Sequence, residues 1–200
     1  GFDKNKIVVI PNSIDIPLKY ETTFGSYVAY IGRLSYEKGY DLLVEIARKY
    51  PEIQFCFAGA KREDTNIAFP KNVQLMGYLK GKDLEHFIKN ARLVVIPSRC
   101  YEGFPMAILE AAQFGKPCVC PDHGGFTEII GKGENAIGRL FEPNNLNDLE
   151  KQILALWDQP VLVEELGQKA YEKLRKEYSS EVIYEKWNEL FVEMLDEQCR

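Results

Sequence analysis

Leu93-Val94-Val95-Ile96-Pro97-Ser98-Arg99-Cys100-Tyr101-Glu102-Gly103-Phe104-Pro105-Met106-Ala107-Ile108-Leu109-Glu110-Ala111-Ala112 reads as a strand, a loop and a helix in succession. Leu93 to Ile96 is an unbroken apolar run, the pattern of a parallel strand covered on both faces. Pro105 suits the first turn of a helix, where its missing N–H costs nothing. Glu110 is the only charge between Pro105 and Gly115. A helix this apolar is buried on most sides, and a carboxylate within it is costly unless paired or hydrogen-bonded.

The same alternation extends in both directions. Strand-like runs occur at Ile7 to Ile10, Tyr27 to Ile31, Gln54 to Ala58, Val73 to Met76 and Pro117 to Cys120. Between most of them lie helical patterns, with Leu42, Leu43, Ile46, Ala47 and Tyr50 at helical spacing, then Leu84, Phe87 and Ile88, then Met106 to Phe114. Strands alternating with helices predict an α/β fold, a doubly wound, mostly parallel sheet of about six strands with helices on both faces. After Glu142 the pattern is helical only. Leu146 to Trp157 follows a cap at Asn145 or Asn147, and Val161 to Tyr178 is rich in Glu and Lys. A last helix, capped by Ser179 or Ser180, carries a wide apolar stripe of Val182, Ile183, Trp187, Leu190, Phe191 and Leu195.

Composition narrows the function. The chain has 200 residues, 46% hydrophobic and 28% charged, with a net charge of −5. That suits one globular domain with an appendage. The acidic balance argues against a nucleic-acid partner, which would require a basic surface. Five cysteines form no Cys-x-x-Cys pair and have no neighbouring His, so they read as reduced thiols rather than a zinc site. No apolar run approaches the ~20 residues of a membrane helix. The N-terminus lacks an initiator Met and does not resemble a signal peptide.

Ligands of open α/β sheets bind beyond the carboxyl ends of the strands, so the loops there are the candidates. Gly32-Arg33-Leu34-Ser35-Tyr36-Glu37-Lys38-Gly39 sets two cations near a helix N-terminus, which already favours anions. The pattern is a diphosphate cradle or an ordinary solvated loop; it matches neither a Walker A motif nor Gly-x-Gly-x-x-Gly. Gly103 and Phe104 offer backbone amides at the mouth of the sheet. Eight residues of helical rise would separate Glu102 from Glu110 by ~12 Å. That is too far for a glycosidase pair, and suits two ends of one elongated ligand. The ordinary alternative is that Glu110 reaches solvent along a thin polar edge. Gly124 and Gly125 allow close backbone approach before another helix, and His123 is a candidate base or, more ordinarily, a hydrogen-bonding or solvated loop residue. Gly59-Ala60-Lys61 and Gly77-Tyr78-Leu79 are weaker turns, the latter a resting place for a flat base.

Taken together these residues resemble the C-terminal domain of retaining glycosyltransferases of the two-Rossmann-domain type, GT-B, family 4. The motifs are Ile10-Pro11-Asn12-Ser13-Ile14-Asp15, Gly32-Arg33 with Lys38-Gly39, Glu102-Gly103-Phe104-Pro105 with Glu110-Ala111, Gly115-Lys116-Pro117, and Gly124-Gly125 with Glu128. They cover most of residues 7 to 141; Ser13 departs from the group's usual Gly. The resemblance implies a Rossmann-like nucleotide-sugar-binding domain over residues 1–178. Residues 179–200 would form a helix packing toward an absent N-terminal domain.

The site implied is Gly32, Arg33, Lys38, Tyr78, Leu79, Glu102, Gly103, Phe104, Pro105, Met106 and Glu110. Arg33, Lys38 and Glu102 would act in catalysis. Arg33 and Lys38 would hold the diphosphate and Glu102 the donor sugar, while Glu110 binds the ribose and Tyr78 and Leu79 flank the base. The donor would be a UDP- or GDP-sugar and the acceptor a glycan or lipid-linked molecule bound through the N-terminal domain. No Asp-x-Asp motif occurs, so neither a metal nor another cofactor is expected. The resemblance implies polysaccharide biosynthesis at a cytoplasmic location, with peripheral membrane association an option for a full-length enzyme. An isolated donor domain is expected to turn over poorly or not at all. A sugar-nucleotide epimerase of the same architecture and a flavodoxin-like interaction module are the alternatives.

Overall fold

The computed structural model describes residues 3, 6–17, 24–61 and 67–198. Six parallel strands form one sheet: β1 (Tyr27–Ile31), β2 (Phe55–Ala58), β3 (Val73–Gly77), β4 (Ala91–Val95), β5 (Cys118–Pro121) and β6 (Gly138–Phe141). Their order is β3-β2-β1-β4-β5-β6, the doubly wound arrangement of a Rossmann-like fold. The chain reverses its direction of travel across the sheet between β1 and β4, which pair directly, Val28 opposite Leu93 and Tyr30 opposite Val95. The crevice at this reversal is where such sheets bind ligands.

The helices are α1 (Tyr40–Lys49), α2 (Gly81–Lys89), α3 (Met106–Ala112), α4 (Gly124–Ile130), α5 (Leu146–Trp157), α6 (Pro160–Glu177) and α7 (Ser180–Gln198). The two-residue period of the strands divides the core into two layers. Val28 and Tyr30 of β1 pack with Leu43, Ile46, Leu149 and Ile153 of α1 and α5. Ala29 faces the other way, with Ile88, Ile108, Phe126 and Leu174 of α2, α3, α4 and α6. Small residues on that face of the strands, Ala29, Cys56 and Ala58, leave room for the apolar α3.

Four expectations change. Ile7 to Ile10 is not a strand: Ile7, Val8 and Val9 are exposed, and no ladder pairs with them among the described residues. An apolar run becomes a strand only where the fold lays it alongside a sheet edge with which it can pair. The N-terminal segment instead joins the fold at Ile14, whose N–H donates to the Tyr178 carbonyl at 3.0 Å. The sixth strand is β6, four residues interrupted by Arg139 and too short to stand out in the sequence. β3 lies at the sheet edge with Leu75 and Met76 exposed, so it is not covered on both faces. Pro105 is the N-cap of α3 rather than part of its first turn.

The C-terminal helices start as the sequence suggests. Asn145 caps α5, its side chain accepting from the Asp148 N–H at 3.0 Å. Ser179 accepts from the Val182 N–H at the start of α7. Beyond Ile183, α7 exposes Tyr184, Trp187, Phe191, Val192, Met194 and Leu195, with Trp187 stacked on Phe191 at 5.7 Å. Leu190 is half-buried. Among the described residues no helix is long and apolar enough to cross a membrane.

Candidate nucleotide-sugar site

The loop after β1 is fixed by hydrogen bonds to its own backbone and to the strand. The Tyr30 hydroxyl donates to the Arg33 carbonyl at 2.6 Å, and the Lys38 N–H donates to the Ser35 carbonyl at 3.0 Å. Gly39 ends the loop in the left-handed region, φ 70°. A Cβ at Gly39 would collide with the Pro97 carbonyl, so glycine lets this loop touch the one after β4. Arg33 and Lys38 are thereby set on one turn just ahead of α1. Arg33 is open, its side chain 58% exposed and only loosely paired with Glu37 at 3.9 Å.

The loop after β4 is held from two sides. Arg99 makes a two-pronged ion pair with Asp41 in the first turn of α1, both contacts 2.7 Å, and its guanidinium lies 4.0 Å from the Tyr36 ring centre. From the other side the Gly125 N–H, at the start of α4, donates to the Glu102 carbonyl at 3.1 Å. The Glu102 side chain then meets Lys38, Nζ to Oε1 at 2.7 Å, across the β1/β4 crevice. Sequence reading gave Arg99 no role. Its signal was available only as a cation in a loop beside an acid in a helix's first turn, and that pairing requires the strand order to be known.

A cleft of about 520 Å³ opens at the Gly32–Arg33 end of the first loop, lined by Gly32, Arg33, Ala60, Tyr78, Leu79 and Glu110 among others, while Lys38 and Glu102 are not part of its lining. The fold thus gathers Gly32, Arg33, Tyr78, Leu79 and Glu110, drawn from the loops after β1 and β3 and from α3. Ala60, from the weaker Gly59-Ala60-Lys61 turn, lines it too, as do Lys80 and Leu84, to which the sequence assigned no ligand role. Burial alone pushes the Glu110 carboxyl above its ordinary range. Tyr78 is exposed. Gly103 and Phe104 line a second cleft of about 530 Å³ with Asn12, Glu128 and Lys186. Pro105 is buried, and Met106 packs against the α3 side of the core. Because α3 begins only at Met106, the eight-residue helical rise between Glu102 and Glu110 does not apply: about 6 Å of rise, from Met106 to Glu110, is helical.

His123 is not placed as a base. Its ring lies 4.5 Å from that of Tyr101 and 5.6 Å from that of Phe126, and both nitrogens are shielded from solvent without a hydrogen-bond partner among the described residues. The neighbouring Asp122 is paired with Lys132 at 2.7 Å and accepts from Thr127, which holds its carboxyl below the ordinary range. Cys118 and Cys120 share one buried face of β5. No cluster of three or more His, Cys, Asp or Glu arranged to hold a metal occurs among the described residues.

The chain is similar to known proteins in sequence and in fold. The family model described as "Glycosyl transferases group 1" matches residues 20–173. A curated relative from Staphylococcus aureus (strain COL), poly(ribitol-phosphate) alpha-N-acetylglucosaminyltransferase, is 34% identical over 95% of this chain and 40% of its own length. A solved structure of an S. aureus TarM variant, in complex with fondaparinux, alpha-GlcNAc-glycerol and UDP, superposes with a TM-score of 0.73. It is 31% identical, over 95% of this chain and 40% of that one. A glycosyltransferase from Rickettsia africae superposes with a TM-score of 0.82 at 20% identity, covering 96% of this chain and 58% of that one, and shows the shared fold. The chain thus spans well under two thirds of these relatives. With a family match over most of its length, a relative 34% identical over 95% of the chain and a doubly wound parallel sheet, this chain belongs to the group 1 glycosyl transferases.

Proposed function

We propose that the chain is the donor-binding domain of a glycosyltransferase that moves a hexose-type sugar, with retention of configuration, from a nucleoside diphosphate to a glycan or lipid-linked acceptor. The observation that carries this is the crevice itself. Arg33 and Lys38 stand at its phosphate end, Glu102 beside Lys38, and Glu110 in one cleft with Tyr78 and Leu79. The group 1 family and the UDP-bound TarM relative support the same assignment.

The chemistry follows from charge. When the bond between C1 of the sugar and the phosphate oxygen breaks, negative charge builds on the diphosphate and positive charge on the ring. Arg33 and Lys38 stabilise the first, as preorganised cations in a partly dry site do most effectively. Glu102 accepts hydrogen bonds from the sugar and supports the ring charge, and the amides of Gly103 and Phe104 bind sugar hydroxyls. Glu110 accepts from the ribose hydroxyls, and the base rests by Tyr78 and Leu79 against Gly32. Pro105 and Met106 fix the start of α3 beneath the sugar. The two cations supply what a metal supplies elsewhere, so the reaction is proposed to be metal-independent.

The acceptor site belongs, in this reading, to a preceding domain. The exposed face of α7 beyond residue 178 packs toward that domain, and the 1–178 unit alone turns over little. A cytoplasmic enzyme of polysaccharide biosynthesis, resting on the inner face of a membrane where the acceptor is lipid-linked, fits this division. Titration calorimetry against UDP, GDP and ADP tests the reading. One of the three binds in the micromolar range, about −8 kcal/mol; silence from all three, in folded protein, sinks it.

A further inference from the structure

The Lys38–Glu102 contact has a consequence for which ligand the crevice keeps. Both side chains are about a quarter exposed, at 23% each, and the contact of 2.7 Å is the only hydrogen bond of either side chain among the described residues. Their backbones are pinned independently. Lys38 is held by Ser35 and by the packing of Gly39 on Pro97, and Glu102 by the Gly125 amide. The Arg99–Asp41 pair ties the two loops together. The ion pair can therefore open by side-chain rotation while both loops stay in place.

A diphosphate arriving at Lys38 competes with the Glu102 carboxylate for the same ammonium. We propose that Glu102 is a specificity-determining residue which, by exchanging partners with Lys38, makes the crevice favour the intact nucleotide-sugar over the free nucleoside diphosphate. This rests on the donor-site reading above. When the whole donor binds, Lys38 passes to the phosphates and Glu102 is repaid by the hydroxyls of the sugar. When the bare diphosphate binds, Glu102 is left half-buried beside two phosphates with nothing to accept from. A carboxylate in that position repels the ligand and keeps its own desolvation cost. After transfer the same carboxylate recaptures Lys38 and drives the nucleotide out.

The looser Arg33–Glu37 pair provides an internal control. It is longer, 3.9 Å, and far more open, so its rupture costs the ligand little.

The test is calorimetric titration of UDP and UDP-glucose into the wild-type chain, Glu102→Gln and Glu37→Gln, with GDP and GDP-mannose as the pair if the base is guanine. Glu102→Gln is expected to tighten UDP by about two- to fivefold, the span of a partly exposed ion pair, while UDP-glucose weakens. The preference for the sugar-bearing ligand then collapses. Glu37→Gln is expected to leave the UDP-glucose to UDP ratio unchanged. In a Lys38→Met background the gain from Glu102→Gln should shrink, because there is no ammonium to compete for. Unchanged or weaker UDP binding by a folded Glu102→Gln protein overturns the proposal, as does equal tightening by Glu37→Gln, which would mark a general charge effect. If the wild type binds none of UDP, GDP or ADP, the donor-site reading falls and takes this one with it. If it binds UDP through Arg33 but the Glu102 variant shows no gain, only the partner exchange is refuted.

Discussion

Arg99 and Lys38 each carry a cation between the loop that follows β1 and the loop that follows β4, yet the two ion pairs are built for different ends. Arg99 meets Asp41 with two parallel contacts of 2.7 Å, lies over the Tyr36 ring and donates to the Tyr36 carbonyl. Its side chain and that of Asp41 are 16% and 14% exposed. A planar guanidinium with this many partners is fixed in place. Lys38 meets Glu102 through one contact on a flexible stem, with both side chains 23% exposed. The difference teaches how one crevice can be both rigid and responsive: the tight pair holds the loops in register and the loose pair remains exchangeable for a ligand.

The largest expected effect comes from breaking the tight pair. Asp41→Asn leaves Arg99 with a neutral partner in a mostly buried position. Removal of one partner from a fully buried pair costs about 3–5 kcal/mol. With the exposure seen here about 2–3 kcal/mol is expected, a fall in Tm of roughly 5–10 °C for a chain of this size. Thermal unfolding measures it, and a shift below about 2 °C would show that the pair does not hold the loops. Lys38→Ala acts on the loose pair and should shift the balance: a smaller fall in Tm than Asp41→Asn, but UDP affinity down by about 30-fold, as for loss of a charge-assisted contact. Arg33→Ala, more exposed, should cost about tenfold. Uridine, which has no phosphate, should bind all three proteins alike; equal losses for uridine and UDP would argue against a phosphate role.

The same contrast explains what was legible in the sequence. Local chemistry was: the run Leu93 to Ile96, the apolar α3 and the cap at Asn145 each follow from a few neighbouring residues, and so did the doubly wound fold. Motif positions such as Arg33, Lys38, Glu102 and Glu110 stood out because their residue types are unusual in such places. What was not legible depends on partners distant in the chain. Arg99 pairs with Asp41 across 58 residues and Lys38 with Glu102 across 64. Ile7 to Ile10 has the composition of a strand but no sheet edge beside it, whereas Gly138 to Phe141 is weak in sequence and becomes a strand because β5 offers it one. The spacing of Glu102 and Glu110 was legible as a number and misleading as a length, because half of it is loop.

Glu110 sharpens the comparison from the other direction, as a carboxylate without an ion-pair partner among the described residues. Burial raises its carboxyl pKa in the folded chain above the ordinary value near 4.3. A raised acid is more costly to ionise folded than unfolded. Its contribution to stability is therefore most favourable below the ordinary value and is lost as pH rises through the raised one. Glu110→Gln removes that pH-dependent cost. The variant should melt on the order of 1–2 °C higher than the wild type at pH 7, and the gap should close below about pH 4, where both side chains are neutral. The same substitution should weaken UDP by about five- to tenfold, because the ribose hydroxyls lose a charged acceptor. A variant that gains stability and loses affinity marks a carboxylate retained for its ligand. One that loses stability at pH 7 would mean that Glu110 is anchored within the protein itself, and its proposed place at the ribose would have to be given up.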